Sequence, residues 1–253
     1  MMHAKRSARL LHLIETLEDF YGIPNAGNNA LALQTAPGDG TDSINERLLD
    51  ELVGTILSQN TSDVNSSRAF YALKTAFPTW ESVLNASRAS IAEAIRLGGL
   101  ADQKAERIQA ILRTIRAEHG STTIAFLQDM DNTSAMQYLC SFKGVGIKTA
   151  ACVLMFGLGR AVCPVDTHVH RVLNRVGIVQ TLTPNDTFEV LQKELEELEN
   201  HATSPERPTS GYSFSYSLHV NVIRLGKDLC TARKTRCERC PLAEVCNYAA
   251  SER

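Results

Sequence analysis

Three groups of residues have types and spacings suited to chemistry. The first is Phe142-Lys143-Gly144-Val145-Gly146-Ile147-Lys148-Thr149, which lies between two helix-forming patterns, Ala135 to Cys140 and Ala150 to Phe156. Two glycines one residue apart let the backbone turn sharply and bring N–H groups against an anion, with the positive end of the next helix behind them. The same spacing also serves an ordinary helix-helix turn. Lys148 falls in the first turn of a helix that reads as apolar all round and therefore buried. Burial and the helix's positive end both disfavour an ammonium there, which makes this lysine a candidate amine nucleophile near neutral pH. A solvated lysine contacting an anion is the rival reading.

The second group is Pro164-Val165-Asp166-Thr167-His168-Val169-His170-Arg171, where Asp166 directly precedes a helical stretch running to Val176. An aspartate there is a natural N-cap, and a carboxylate so placed can also serve a reacting centre. His168 and His170 point to nearly opposite sides of a helix, which rules out one metal shared through local geometry. The third group is Cys230, Cys237, Cys240 and Cys246, four of the seven cysteines in the chain. Four thiolates in a short segment hold either an iron-sulfur cluster or a tetrahedral zinc, and the uneven spacing with a single Cys-x2-Cys pair favours a cubane cluster. Cys140, Cys152 and Cys163 lie singly among apolar residues and are expected in the core.

The elements that must position these groups read as helices throughout. The chain has 253 residues, 43% hydrophobic, which can bury one large or two smaller cores. Leu10, Leu13, Ile14, Leu17, Phe20 and Tyr21 form one apolar stripe ending near Gly22, and the stretch from Pro24 to Thr41 reads as a loop. Ser43 with Glu46 makes a capping-box signal ahead of Leu48, Leu49, Leu52, Val53, Ile56 and Leu57. Further helices are expected over Ser66 to Ala76, Ile91 to Leu97, Ala105 to Ile115 closed by Gly120, and after Thr183-Pro184. Tyr212, Phe214, Tyr216, Leu218, Val220 and Val222 alternate as a strand would, but with no other strand to pair with, that segment is expected to be helical.

Net charge is −2, so any nucleic-acid contact must come from local basic features. Arg233, Lys234 and Arg236 supply one beside the cysteines, while Glu194, Glu196, Glu197 and Glu199 make an acidic helix face. No apolar run approaches the roughly 18 residues that span a bilayer. Met1 to Arg9 is basic with no apolar core behind it, so a cytoplasmic chain without membrane partners is expected.

Taken in this order, the Gly-Val-Gly-x-Lys-Thr-Ala hairpin (Gly144 to Ala150), the Val-Asp-Thr-His block (Val165 to His168) and the cysteine spacing resemble endonuclease III, in the helix-hairpin-helix-GPD superfamily of DNA glycosylases. The likeness extends from about Asn45 to Tyr248. It implies an all-α, two-domain fold: a six-helix barrel domain over 42–160 and an iron-sulfur domain built from 1–41 and 161–253. The resemblance assigns a Schiff-base nucleophile to Lys148, an essential carboxylate to Asp166 and 4Fe-4S ligands to Cys230, Cys237, Cys240 and Cys246. It gives the backbone of Gly144, Val145 and Gly146 to a DNA phosphate, and places Asn60 and Leu100 where the family inserts side chains into the gap left by a flipped base.

The implied activity is base-excision glycosylase with abasic-site lyase on oxidised pyrimidines. The implied partner is double-stranded DNA containing a damaged base or abasic site, bound by a monomer associated with the nucleoid. Phe142-Lys143, Ile147 and Asn60 depart from the residues usual in that family, which bears on lesion preference. Two alternatives are a mismatch-specific glycosylase and a non-catalytic helix-hairpin-helix DNA-binding module; an iron-sulfur electron carrier is a third.

Overall fold

A computed structural model describes residues 2–24, 44–201 and 213–251, and the loop and capping-box expectations over 25–43 lie outside them. Two compact units emerge: Met1–Asn29 with Gly159–Arg253, and Ala30–Leu158. Every regular element among the described residues is helical, and the one extended pairing is an isolated bridge between Cys230 and Thr235.

The continuous unit is organised on α2 (Ile44–Ser58), which is buried without interruption from Leu48 to Leu57. The apolar stripe explains one side of that burial. Asp50 and Glu51, from the other side, are buried as well, and Asp50 is held by Lys74 Nζ at 3.1 Å. Against α2 pack α3 (Asp63–Ala76), α6 (Ala101–His119) and α8 (Ile147–Cys152), while α4 (Trp80–Asn85) and α5 (Arg88–Ala94) pack on α6 and α7 (Asn132–Ser141) packs on α8. Side-chain caps set several starts: Ser62 for α3, Thr79 for α4, Ser87 for α5 and Asp131 for α7. α3 begins earlier than the apolar pattern implied, because Ser62 caps it. Gly120, at φ +75°, ends α6 where expected. Past α8 the chain makes a π-helical turn over Val153–Gly157 that packs on α2.

In the discontinuous unit, α1 (Met2–Tyr21) packs on α10 (Pro184–His201) and α11 (Phe214–Asp228), and α11 packs on α9 (Thr167–Val176). The short α12 (Asn247–Ser251) also packs on α9. From Phe214 onward the alternating segment is helical as expected, and Tyr212 lies outside the described residues. Its period-two pattern carries no facial information, because α11 is buried on nearly every side, including Ser215, Ser217, His219 and Asn221. The acidic face of α10 is only partly a solvent face. Glu194 is 2% exposed and takes Arg6 Nη1 at 2.9 Å and Ser7 Oγ at 2.6 Å. Those partners lie on α1, far away in sequence. No helix among the described residues is long and apolar enough to cross a membrane.

Candidate functional site

The hairpin forms as its glycines require. Gly144 adopts φ +85°, and Val145 N donates to Phe142 O at 3.0 Å, which closes the turn between α7 and α8. That bond engages the Val145 N–H and buries its side chain, leaving Gly144 and Gly146 as the exposed backbone of the turn. Arg107, from α6, lies so close to Gly144 that an added Cβ would clash with its guanidinium. The same guanidinium donates to Gln59 Oε1 at 2.6 Å, and Gln59 Nε2 reaches Gly144 O at 3.3 Å. The hairpin is therefore tied to the end of α2 through α6. Gly144→Ala is expected to destabilise the protein by about 1 to 2 kcal/mol from its left-handed backbone alone, with a further loss from displacing Arg107. A urea midpoint lowered at unchanged slope is the measurement.

Lys148 occupies the first turn of α8 but is half-buried, not enclosed as the apolar run implied, because the helix buries Thr149, Ala150, Ala151 and Cys152 and leaves Lys148 at its margin. Across the α2–α8 contact lies Glu51, 6% exposed. Burial, with Asp50 second, pushes the Glu51 carboxyl up to about 8, and Lys148 is the charge drawing it down. Sequence reading passed over Glu51, since a glutamate beside an apolar stripe looks like a solvent position.

Asp166 stands in the other unit, as the N-cap of α9. Its Oδ1 accepts from both His168 N and Val169 N at 2.8 Å. Both caps use one oxygen, and Oδ2 of this half-buried carboxylate accepts nothing among the described residues. His168 and His170 diverge as expected: His168 Nδ1 lies 3.1 Å from Arg171 Nη2, and His170 Nδ1 lies 2.7 Å from Thr187 Oγ1.

Cys230, Cys237, Cys240 and Cys246 line one cavity, with Val172, Val176, Leu225, Leu229 and Tyr248 completing an apolar wall. Burial and the three neighbouring cysteines push the Cys240 thiol up to about 11. No three His, Cys, Asp or Glu side chains among the described residues are grouped so as to hold a metal ion directly. The segment is fastened by two arginines of α9 that spacing gave no reason to single out. Arg175 Nη1 donates to Thr231 O at 2.7 Å and lies 3.3 Å from Cys230 Sγ, and Arg171 Nε donates to Cys230 O at 3.2 Å. Arg233, Lys234 and Arg236 remain exposed, with Thr231 Oγ1 donating to Lys234 O at 2.6 Å to shape their loop.

Asn60 and Leu100 share a feature that no other non-glycine described residue has: positive φ, 55° and 52°. Asn60 is exposed just past α2, and Leu100 is 50% exposed at the start of α6. For a leucine such a backbone is costly, and strain of this kind gathers at functional positions.

Comparison with known proteins places this arrangement. An Arabidopsis thaliana protein described as a candidate DNA glycosylase is 44% identical over 151 residues, which is 59% of this chain and 52% of that one. The DNA glycosylase/AP lyase ROS1 of the same plant is 33% identical over 68% of this chain but only 13% of its own length. The chain thus spans about half of the first relative and a small part of the second. Endonuclease III of Thermotoga maritima is 32% identical, covering 78% of this chain and 81% of that one. Among solved structures, a non-covalent endonuclease III–DNA complex superposes with TM-score 0.71 over 97% of both chains at 19% identity, a likeness of fold. Residues 53–197, from α2 through the hairpin and Asp166 into α10, match the family described as HhH-GPD superfamily base excision DNA repair protein. The chain belongs to that superfamily.

Proposed function

We propose that this protein is a DNA glycosylase with abasic-site lyase activity, acting on oxidised pyrimidines in duplex DNA through a Lys148 imine. The observation that carries the reading is Lys148 itself, at the first turn of the helix that leaves the Gly144–Gly146 hairpin. A structural hairpin has no need of an amine there.

A base inside a duplex is out of reach, so the nucleotide must first be extruded, at a cost of a few kcal/mol that damage lowers. In this reading the exposed backbone at Gly144 and Gly146 holds a phosphate, with Val145 packing the turn, and Asn60 and Leu100 occupy the space the nucleotide leaves. Arg233, Lys234 and Arg236 contact the DNA backbone. The Lys148 amine bonds to C1′ as the C1′–N bond to the base breaks, and the departing base takes up a proton. The unbonded Oδ2 of Asp166 offsets the positive charge that develops on the sugar. The C1′–O4′ bond then breaks, O4′ takes up a proton and C1′=N forms as a protonated imine; loss of a C2′ proton expels the 3′ phosphate, and water hydrolyses the imine to return the amine. The two units correspond, in this proposal, to the barrel and iron-sulfur domains of the family, and the protein acts as a monomer.

The four-cysteine cavity fits a 4Fe-4S cluster. Its four thiols line one cavity, an arrangement that suits four irons that each take one thiolate. When bound, the cluster would cross-link Cys230, Cys237, Cys240 and Cys246 and fix the basic loop. Protein purified anaerobically is expected to be brown, with about four irons and four sulfides per chain, one iron for each thiolate ligand. Stoichiometric zinc without visible absorption would overturn the assignment. The activity itself is tested with duplexes carrying single lesions: oxidised pyrimidines should be excised and the strand nicked, and binding without cleavage of any lesion would leave a DNA-binding module.

A further inference from the structure

Lys104 is an ammonium in an unfavourable place. It is 2% exposed, it lies in the first turn of α6 where the helix's positive end faces it, and burial, with Arg107 second, pushes its pKa down. Its Nζ donates to Leu57 O at 2.7 Å and to Gly98 O at 2.8 Å. Leu57 is in the last turn of α2, directly before the bend carrying Asn60. Gly98 opens the bend carrying Leu100, whose own carbonyl accepts from Lys104 N at 2.9 Å. One buried side chain therefore joins the two bends that hold the two strained residues. A Cβ on Gly98 would lie 3.1 Å from Ala69 Cβ on α3 and 3.9 Å, ordinary contact, from Leu57 O.

We propose that Lys104 is a positioning residue that locks the Asn60 and Leu100 bends into a single rigid two-pronged unit, and that its contribution is made when those side chains enter the duplex. The inference rests on the glycosylase/lyase reading above. Side chains on strained backbone hold an insertion geometry only if the surroundings over-determine it. Two charge-assisted bonds to buried carbonyls do so, and without them both carbonyls lose their partner. Both carbonyls lie outside α8, the helix that carries Lys148, so bond cleavage on an already open substrate should proceed without the lock.

The test uses the full-length protein and one oligonucleotide carrying a natural abasic site, presented either in duplex or as a single strand, with single-turnover strand cleavage as the readout. Lys104→Met keeps the apolar stem and removes the ammonium. It is expected to slow cleavage of the duplex at least tenfold and of the single strand less than twofold. Leu100→Ala should show the same one-sided loss, and the double variant should be little worse than either alone, since both act through one bend. Equal losses on both substrates, or fully additive losses, would overturn the proposal. If Lys104→Met does not fold, Lys104→Gln replaces it, keeping a polar end too short to reach both carbonyls, and an unchanged duplex rate would equally overturn the proposal. Failure of the unaltered protein to cleave either substrate would instead defeat the glycosylase/lyase reading.

Discussion

Lys148→Gln is expected to fold, retain its colour and bind an abasic-site duplex, yet give no covalent adduct when borohydride is added during reaction. The unaltered protein should be trapped efficiently, because hydride reduces an imine to a stable amine and only an amine nucleophile passes through one. Glutamine keeps most of the stem and a polar end at a half-buried position, so the variant isolates the amine from the packing of α8. A surviving adduct would move the nucleophile to another amine and remove the central assignment. Asp166→Asn is the paired experiment. Its Oδ1 holds the first turn of α9 through His168 N and Val169 N, and asparagine caps about as well as aspartate, so the variant should fold. If capping were the whole role, turnover would be near normal. A carboxylate that offsets charge at the sugar predicts a loss on the order of a hundredfold or more.

Glu51→Gln is expected to stabilise the protein, and only toward alkaline pH. The Glu51 carboxyl is pushed from 4.5 up to about 8 in the folded chain, chiefly by burial. The folded state thus holds this proton more tightly than the unfolded chain does. The contribution is most favourable below pH 4.5, declines as pH rises from 4.5 to 8, and is fully lost above 8. A shift of that size corresponds to about 5 kcal/mol at its upper bound, at roughly 1.4 kcal/mol per pH unit. Glutamine stays neutral throughout and matches the protonated form in shape. The variant should melt close to the unaltered protein at pH 4.5 and well above it at pH 9, by about 2 to 4 °C for each kcal/mol recovered. A difference that does not grow between those pH values would show that Glu51 ionises freely in the fold. A group that costs stability at neutral pH, placed against the helix that carries Lys148, is the kind of feature an active site retains.

Much of this protein is determined by short stretches of chain. Helix stripes, Gly120 at the end of α6, the hairpin glycines and the N-cap at Asp166 are set by interactions a few residues long, and spacing alone shows them. The four C-terminal cysteines, close along the chain, line one cavity in the fold. Tertiary structure decided the rest. Whether Glu51 and Glu194 face water depends on what packs against α2 and α10, and both are buried. Arg175 becomes a support of the cysteine segment only because α9 folds against it. Arg107 ties Gln59 to the hairpin, and Lys104 reaches from α6 back to Leu57 O. A polar side chain in a helix pattern reads as solvent-facing by default, and only the fold supplies the distant carbonyl or carboxylate that makes it a buried partner, because hydrogen bonds and desolvation act through space and not along the chain.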